Sequence, residues 1–283
     1  MSPRCRRKRR RGSGWLILLL TVLALLFLVP IFLVVSNSFK SRFYISGVPF
    51  ALPNRETFVG FENYLTGLTS GGFPAAFGRS LFITVGSVLL IVLGTSMTAW
   101  YLVRVRTRFT RGLYYAFVFS MIVPFQMVMY TMTYVVGLIR FNTVLGIVLV
   151  YLGFGAGLSV FMLSGFVKSI PLELEEAATI DGCSPPACFF RVVLPVMRPT
   201  VVTVAILNAM WIWNDYLLPY LVLGTRQKTI PVTIQIAMQG AYGSTDYGGL
   251  MAMLVLAIIP IIVFYLIGQK HIVKGVLAGA VKG

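Results

Sequence analysis

Long apolar runs alternate with short polar ones along this chain, and the runs have the length of membrane-crossing helices. Six windows of about 20 residues can each span roughly 30 Å of hydrocarbon: Trp15–Val35, Leu81–Val103, Leu113–Leu138, Val144–Val167, Val201–Leu223 and Gly249–Gly268. Most contain Gly, Pro or polar residues, which predicts a packed bundle rather than helices facing lipid all round. Pro124 in the third window and Pro260 in the sixth predict kinks or local openings. The first window is too long for a cleavable signal, so a retained anchor is expected. The fold class expected is an all-α membrane protein with one domain over residues 15–268, a head at 1–14 and a tail at 269–283.

The polar segments have distinct characters. Residues 36–79 are too polar and too broken by Gly and Pro to cross a membrane, and Phe61-Glu62-Asn63-Tyr64-Leu65 can begin a short amphipathic helix there. A tight turn holding Arg104, Arg106, Arg108 and Arg111 joins the second and third windows, and a short loop around Arg140-Phe141-Asn142 joins the third and fourth. Between the fourth and fifth lies a longer polar loop, residues 168–199.

Charge orients this layout. The chain is 58% hydrophobic and only 11% charged, yet its net charge is +16. With six crossings, residues 1–14, 104–112, 168–200 and 269–283 fall on one side and carry 17 of the 24 Lys and Arg residues. That bias places both termini in the cytoplasm. The run Arg4–Arg11 then reads as an orientation signal that favours anionic lipid, not as a nucleic-acid site, since no RNA- or DNA-binding domain accompanies it. Cys5, Cys183 and Cys188 all fall on the same side. They read as plain thiols, because the one close pair has no second ligand pair nearby to form a metal site.

The loop at 168–199 carries clear start and stop signals. Ser169 can cap a helix with Pro171 in its early turn and Glu173, Glu175 and Glu176 near its positive end. Gly182 is the natural left-handed terminator. Ser184 and Pro185 restart a second helix that Pro195 should stop after Leu194. The first helix offers Leu172, Ala177, Ala178 and Ile180. It is either an ordinary amphipathic surface helix or a ridge that enters a partner's groove.

Glu176-Ala177-Ala178, three residues, Gly182, nine residues and Val192-Val193-Leu194-Pro195 resemble the EAA loop of permease subunits in bacterial ABC importers. Trp213-Asn214-Asp215-Tyr216-Leu217, Thr229-Ile230-Pro231-Val232, Tyr242-Gly243-Ser244-Thr245-Asp246-Tyr247-Gly248, Met251-Ala252 and the Val273–Gly283 ending are similar to the shorter, maltose-transporter type of permease in the carbohydrate-uptake branch. The Arg-rich head is longer than usual there, and Cys183 stands where a small residue is common. The resemblance implies a type I importer permease bundle, in a bacterial inner or plasma membrane, that pairs with a second permease subunit. Two ATPase subunits would bind below, one against each EAA loop, and an extracytoplasmic solute-binding protein would deliver a sugar above. Glu175, Glu176, Ala177, Ala178, Asp181, Gly182, Leu194 and Pro195 would then form the ATPase-coupling loop, with Glu176 meeting the ATPase groove or bracing the loop. A glycerol phosphate or related polyol is an alternative cargo.

Asp215 is the sole carboxylate inside a predicted crossing, where an unpaired charge costs several kcal/mol. Asn208, Ile212 and Asp215 share one helical face, flanked by Trp211 and Trp213. Amides, carboxylates and indoles suit sugar hydroxyls and apolar sugar faces. Asn208, Trp211, Asn214, Asp215 and Gln126 are therefore candidates for a translocation path, with a structural role for Asp215 near the external end of its helix equally open.

The remaining chemistry is sparse. An ion-coupled secondary transporter would show repeated halves and several embedded titratable groups, and this chain shows neither. The sole histidine, His271, lies in the tail. There is no His-Glu-x-x-His motif and no Gly-x-x-x-x-Gly-Lys-Ser/Thr phosphate loop. The chain is expected to be a transporter component without a cofactor or metal of its own, drawing ATP hydrolysis from a separate subunit.

Overall fold

The computed structural model describes residues 13–70, 72–240 and 246–280, with side chains through Gln269. The Arg4–Arg11 run, Cys5, Tyr242–Thr245, the His271 side chain and the end of the tail lie outside the described residues. The described chain is helical: α1 Ser13–Ser38, α2 Arg42–Ile45, α3 Glu62–Ser70, α4 Phe73–Arg104, α5 Arg108–Ser120, α6 Phe125–Leu138, α7 Val144–Val167, α8 Glu173–Ile180, α9 Pro185–Cys188, α10 Leu194–Asn214, α11 Leu217–Leu223, α12 Ile230–Met238 and α13 Tyr247–Ala280. A π-helical turn, Phe189–Val193, joins α9 to α10. Five of the described helical stretches are long and apolar enough to cross a membrane, and α5 with α6 would make a sixth if that bent pair is one span.

The chain divides into two units, Met1–Ser70 with Gly240–Leu256, and Gly71–Gln239 with Ala257–Gly283. In the first, α1 is apolar on every side and exposed from Gly14 to Phe32, as expected of a helix solvated by lipid. Its last turn leads into a buried polar knot. Asn63 donates to the carbonyls of Ser38 (2.8 Å) and Lys40 (2.7 Å), Ser38 and Tyr64 share a hydrogen bond (2.8 Å), and the Lys40 ammonium donates to the Val48 carbonyl (3.0 Å). Phe39 packs against Phe58, Phe61 and Tyr64 above it. The amphipathic helix expected from residue 61 is α3, and Gly248 at the start of α13 leaves no room for a Cβ beside Asn63.

In the second unit α4 and α7 pack along their lengths through small residues. Ser80, Thr84, Ser87, Thr95, Ser96 and Ala99 are buried on α4, and Gly146, Gly155, Ala156, Gly157, Ser159 and Ser164 on α7. Such residues let backbones approach closely where no hydrophobic effect drives association. A Cβ at Gly155 would lie 2.6 Å from Ile91 of α4 and 2.8 Å from the Asn208 amide oxygen of α10, so three helices meet there. Two apolar clusters close the ends. One gathers Ala99, Leu163, Val167, Phe189, Val193 and Met197, the other Ile83, Ile91, Ile147, Tyr151, Ile212 and Leu218.

Four sequence expectations need correction. The opening expected at Pro124 is a full break: the third window forms two helices, α5 and α6, that meet at 106°, and Pro124 stands at the N-cap of α6, where its missing N–H costs nothing. The fifth window is shifted. Its helix begins in the polar loop and ends at Asn214, leaving Asp215 in extended backbone before α11. Pro195 does not stop the second loop helix. Leu194 donates its N–H to the Phe189 carbonyl five residues back, and the widened turn absorbs a ring that would clash in a regular α-helix. The tail is not a separate segment, since α13 runs on to Ala280 through Pro260.

Candidate functional site

The loop after α7 builds its first helix one turn later than Ser169 suggests. Ser169 donates its hydroxyl to the Phe166 carbonyl (2.6 Å) instead of capping, and α8 opens at Glu173 with three glutamates in its first turn, where the helix dipole favours negative charge. Gly182 closes it. At φ 82° it lets the Cys183 N–H reach the Ala178 carbonyl (2.9 Å) and its own N–H reach Thr179 (3.0 Å), the paired bonds of a Schellman terminus. Ser184 then turns the chain in extended backbone into α9.

Helical phase divides the glutamates. Glu175 and Ala178 point inward, 8% and 7% exposed, whereas Leu172, Glu176 and Ile180 recur every four residues on the outer face, with Ile180 86% exposed. Ala178 is thus a packing contact beneath the ridge rather than part of it, and Ala177 is the exposed alanine. Asp181, Gly182 and Pro195 are exposed and Leu194 is half-buried.

Glu175, not Glu176, braces the loop. Arg104, the last residue of α4, donates through Nε to Glu175 Oε1 (2.8 Å), with Nη2 at 2.7 Å from the same oxygen. The Trp100 indole donates to Oε2 (2.9 Å), and Arg104 Nη2 also holds the Ile170 carbonyl (3.0 Å). One carboxylate therefore accepts three charge-assisted or indole bonds from a neighbouring helix, and the Trp100 ring lies against Phe189 of the π turn (5.5 Å between centroids). These contacts tie α8 to the end of α4 and to the π turn at the base of α10. Sequence reasoning missed Trp100 and Arg104, although their i, i+4 spacing at the end of an apolar helix was the available signal.

The path candidates do not form one group. Asn208 is 5% exposed and spent on packing, its amide donating to Ser159 (3.1 Å) and to the Val204 carbonyl (2.9 Å). Trp213 is buried, donating to the Ala257 carbonyl (3.2 Å). Trp211 is 41% exposed and meets Tyr151 edge-on (5.5 Å), while Asn214 and Gln126 are exposed. Asp215 is half-buried. Its Oδ1 accepts the N–H groups of Leu217 (3.0 Å) and Leu218 (3.3 Å), and its Oδ2 accepts the Tyr151 hydroxyl (3.0 Å). Trp211, Tyr151 and Asp215 thus meet at the end of α10, with Tyr216 stacked on Tyr220 beside them (5.3 Å). Tyr151 was also missed; a lone phenol inside an apolar window was its signal. Tyr151→Phe is expected to cost about 1.5–3 kcal/mol, the range for a bond to a charged group, in denaturation of the purified protein. An unchanged midpoint would show the bond to be idle.

Residues 90–278 match the family described as the binding-protein-dependent transport system inner membrane component. The chain belongs to this family. The permease is 39% identical to the probable starch degradation products transport system permease protein of Thermoanaerobacterium thermosulfurigenes, covering 92% of this chain and 94% of that one. It is 34% identical to the multiple sugar-binding transport system permease protein of Streptococcus mutans, covering 95% and 96%. Among solved structures, a bacterial ABC transporter involved in the import of the acidic polysaccharide alginate superposes with a TM-score of 0.76 at 24% identity, over 95% of the permease and 99% of that chain. The fold is therefore that of a type I ABC importer permease, a multi-pass membrane protein and a transporter subunit rather than an enzyme.

Proposed function

We propose that this permease is one of two membrane subunits of an ATP-driven importer of di- or oligosaccharides. The observation that carries the coupling role is the division of α8: an outer face of Leu172, Glu176 and Ile180 left uncovered, over an inner face locked to α4 by Glu175. The ridge would sit in a groove of an ATPase subunit, with a second permease, a second ATPase and an extracytoplasmic binding protein completing the importer. Closure of the ATPases would push α8 and, through Glu175 and the π turn, move α4 and α10 together. This orientation puts both termini in the cytoplasm, in keeping with the distribution of Lys and Arg. The sugar reading draws support from the relatives named for starch degradation products, for multiple sugars and for diacetylchitobiose.

Purification from native membranes is expected to recover an ATPase and a second permease with this chain. In that assembly Gly182→Glu should reduce uptake to background with membrane insertion intact. A non-glycine residue at a left-handed position costs about 1–2 kcal/mol, and the Schellman turn that sets the angle between α8 and α9 is lost with it. Normal uptake by that variant would reject the coupling role. Uptake of glycerol phosphate, with no oligosaccharide accepted, would replace the sugar reading by a polyol one.

A further inference from the structure

A cavity of about 320 Å³ lies where the C-terminal end of α4, the first turns of α5 and the end of α7 converge. Its size is at the lower end of the roughly 300–1,000 Å³ typical of ligand sites. Arg106, Arg111 and Lys168 line it, and no carboxylate does. Among the described residues none of the three has an acidic partner within ion-pair distance; the one such pair engages Arg104. Three cations around one concavity repel one another and concentrate positive potential in it. The N-terminal end of α5, capped reciprocally by Thr107 and Thr110, adds its dipole with the same sign.

Two further features mark a site rather than a basic surface. Ser164 forms part of the wall, fully buried, and its hydroxyl has no hydrogen-bond partner. A buried hydroxyl left unsatisfied costs about 1–3 kcal/mol, a cost that a bound acceptor removes. Tyr114 holds the Lys168 ammonium 5.4 Å from its ring centroid, which fixes that cation at the rim. We infer that this cavity binds a phosphate-bearing anion, with Arg106, Arg111 and Lys168 neutralising it and Ser164 donating from the wall. Leu102 and Val103 supply an apolar side suited to a glycerol backbone, which favours a phospholipid headgroup over a soluble phosphate.

The test uses the intact purified importer in detergent, so its outcome does not depend on the membrane orientation proposed above. Binding of short-chain phosphatidylglycerol is measured against phosphatidylcholine of the same chain length, and separately against inorganic phosphate at matched ionic strength. Saturable phosphatidylglycerol binding is expected. An interaction of about 1 kcal/mol per cation corresponds to about fivefold weaker binding in Lys168→Gln, and on the order of a hundredfold in R106Q/R111Q/K168Q. Displacement by millimolar inorganic phosphate would assign the site to a soluble ligand. Should the triple variant fail to assemble, Ser164→Ala and Lys168→Gln are read alone, and each must weaken binding. Equal affinity for both lipids with no phosphate effect, or binding unchanged in these variants, overturns the site.

Discussion

Glu175→Ala is expected to abolish uptake while the subunit still inserts and assembles. The substitution leaves Arg104 beneath α8 with no countercharge and only the Ile170 carbonyl as a partner, and breaking a buried pair from one side costs about 3–5 kcal/mol. A loss of about 3 kcal/mol changes the ratio of attached to released loop on the order of a hundredfold. Amide exchange over residues 173–181 should rise accordingly, and ATP hydrolysis should persist without sugar movement. Glu175→Gln keeps an acceptor for the Trp100 indole but loses the ion pair, so its effect should be smaller. Glu176→Ala removes an outer side chain that bears no such load, and it should leave amide exchange unchanged. If Glu175→Ala exchanges and transports like the parent, the brace has no part in coupling.

Gly155→Leu should be strongly damaging where α4, α7 and α10 meet. The Cβ it introduces would lie 2.6 Å from Ile91 and 2.8 Å from the Asn208 amide oxygen. Ile91 can rotate its terminal methyl away. Asn208 cannot yield without giving up Ser159 and the Val204 carbonyl, so the helices must separate or that buried amide lose its bonds. Overpacking of this kind costs about 1–3 kcal/mol, occasionally more, and the stranded amide adds to it. Gly153 lies two residues away on the same helix with nothing within 4 Å of its Cβ position. Gly153→Leu is thus the matched control, and it should leave the thermal midpoint near that of the parent. Similar losses from both substitutions would show that helix packing at Gly155 is not the cause.

The sequence made some of these features plain and concealed others, and the difference lies in where the determining contacts sit. Val144–Val167 and the Gly182 terminator were legible because an apolar run and a left-handed residue are local facts. The inward phase of Glu175 was not. Two adjacent glutamates at the start of an eight-residue helix are equivalent until Arg104, 71 positions earlier, selects one of them. Pro195 was a sound stop signal by local sterics, overridden by a widened turn that Phe189 and Val193 anchor in the core. The break between α5 and α6 was hidden because Met121, Ile122 and Val123 are as apolar as the helices on either side. Asp215 looked like a charge embedded in a crossing. Instead it accepts the first free N–H groups of α11, a role that depends on the chain leaving helical geometry at that residue.

The continuity of α9, the π turn and α10 has a mechanical meaning. Thirty residues from Pro185 to Asn214 form one helical rod, about 45 Å long at the usual rise. One tip stands beside the α8 loop and the other ends next to Asp215, Tyr151 and Trp211. Were the rod to turn as one body through its π turn and Pro199, a tilt of about 5° at the first tip would sweep the second through about 4 Å. Under the coupling role proposed above, a single lever arm would carry the nucleotide-driven stroke across the bilayer in place of a relay of small rearrangements.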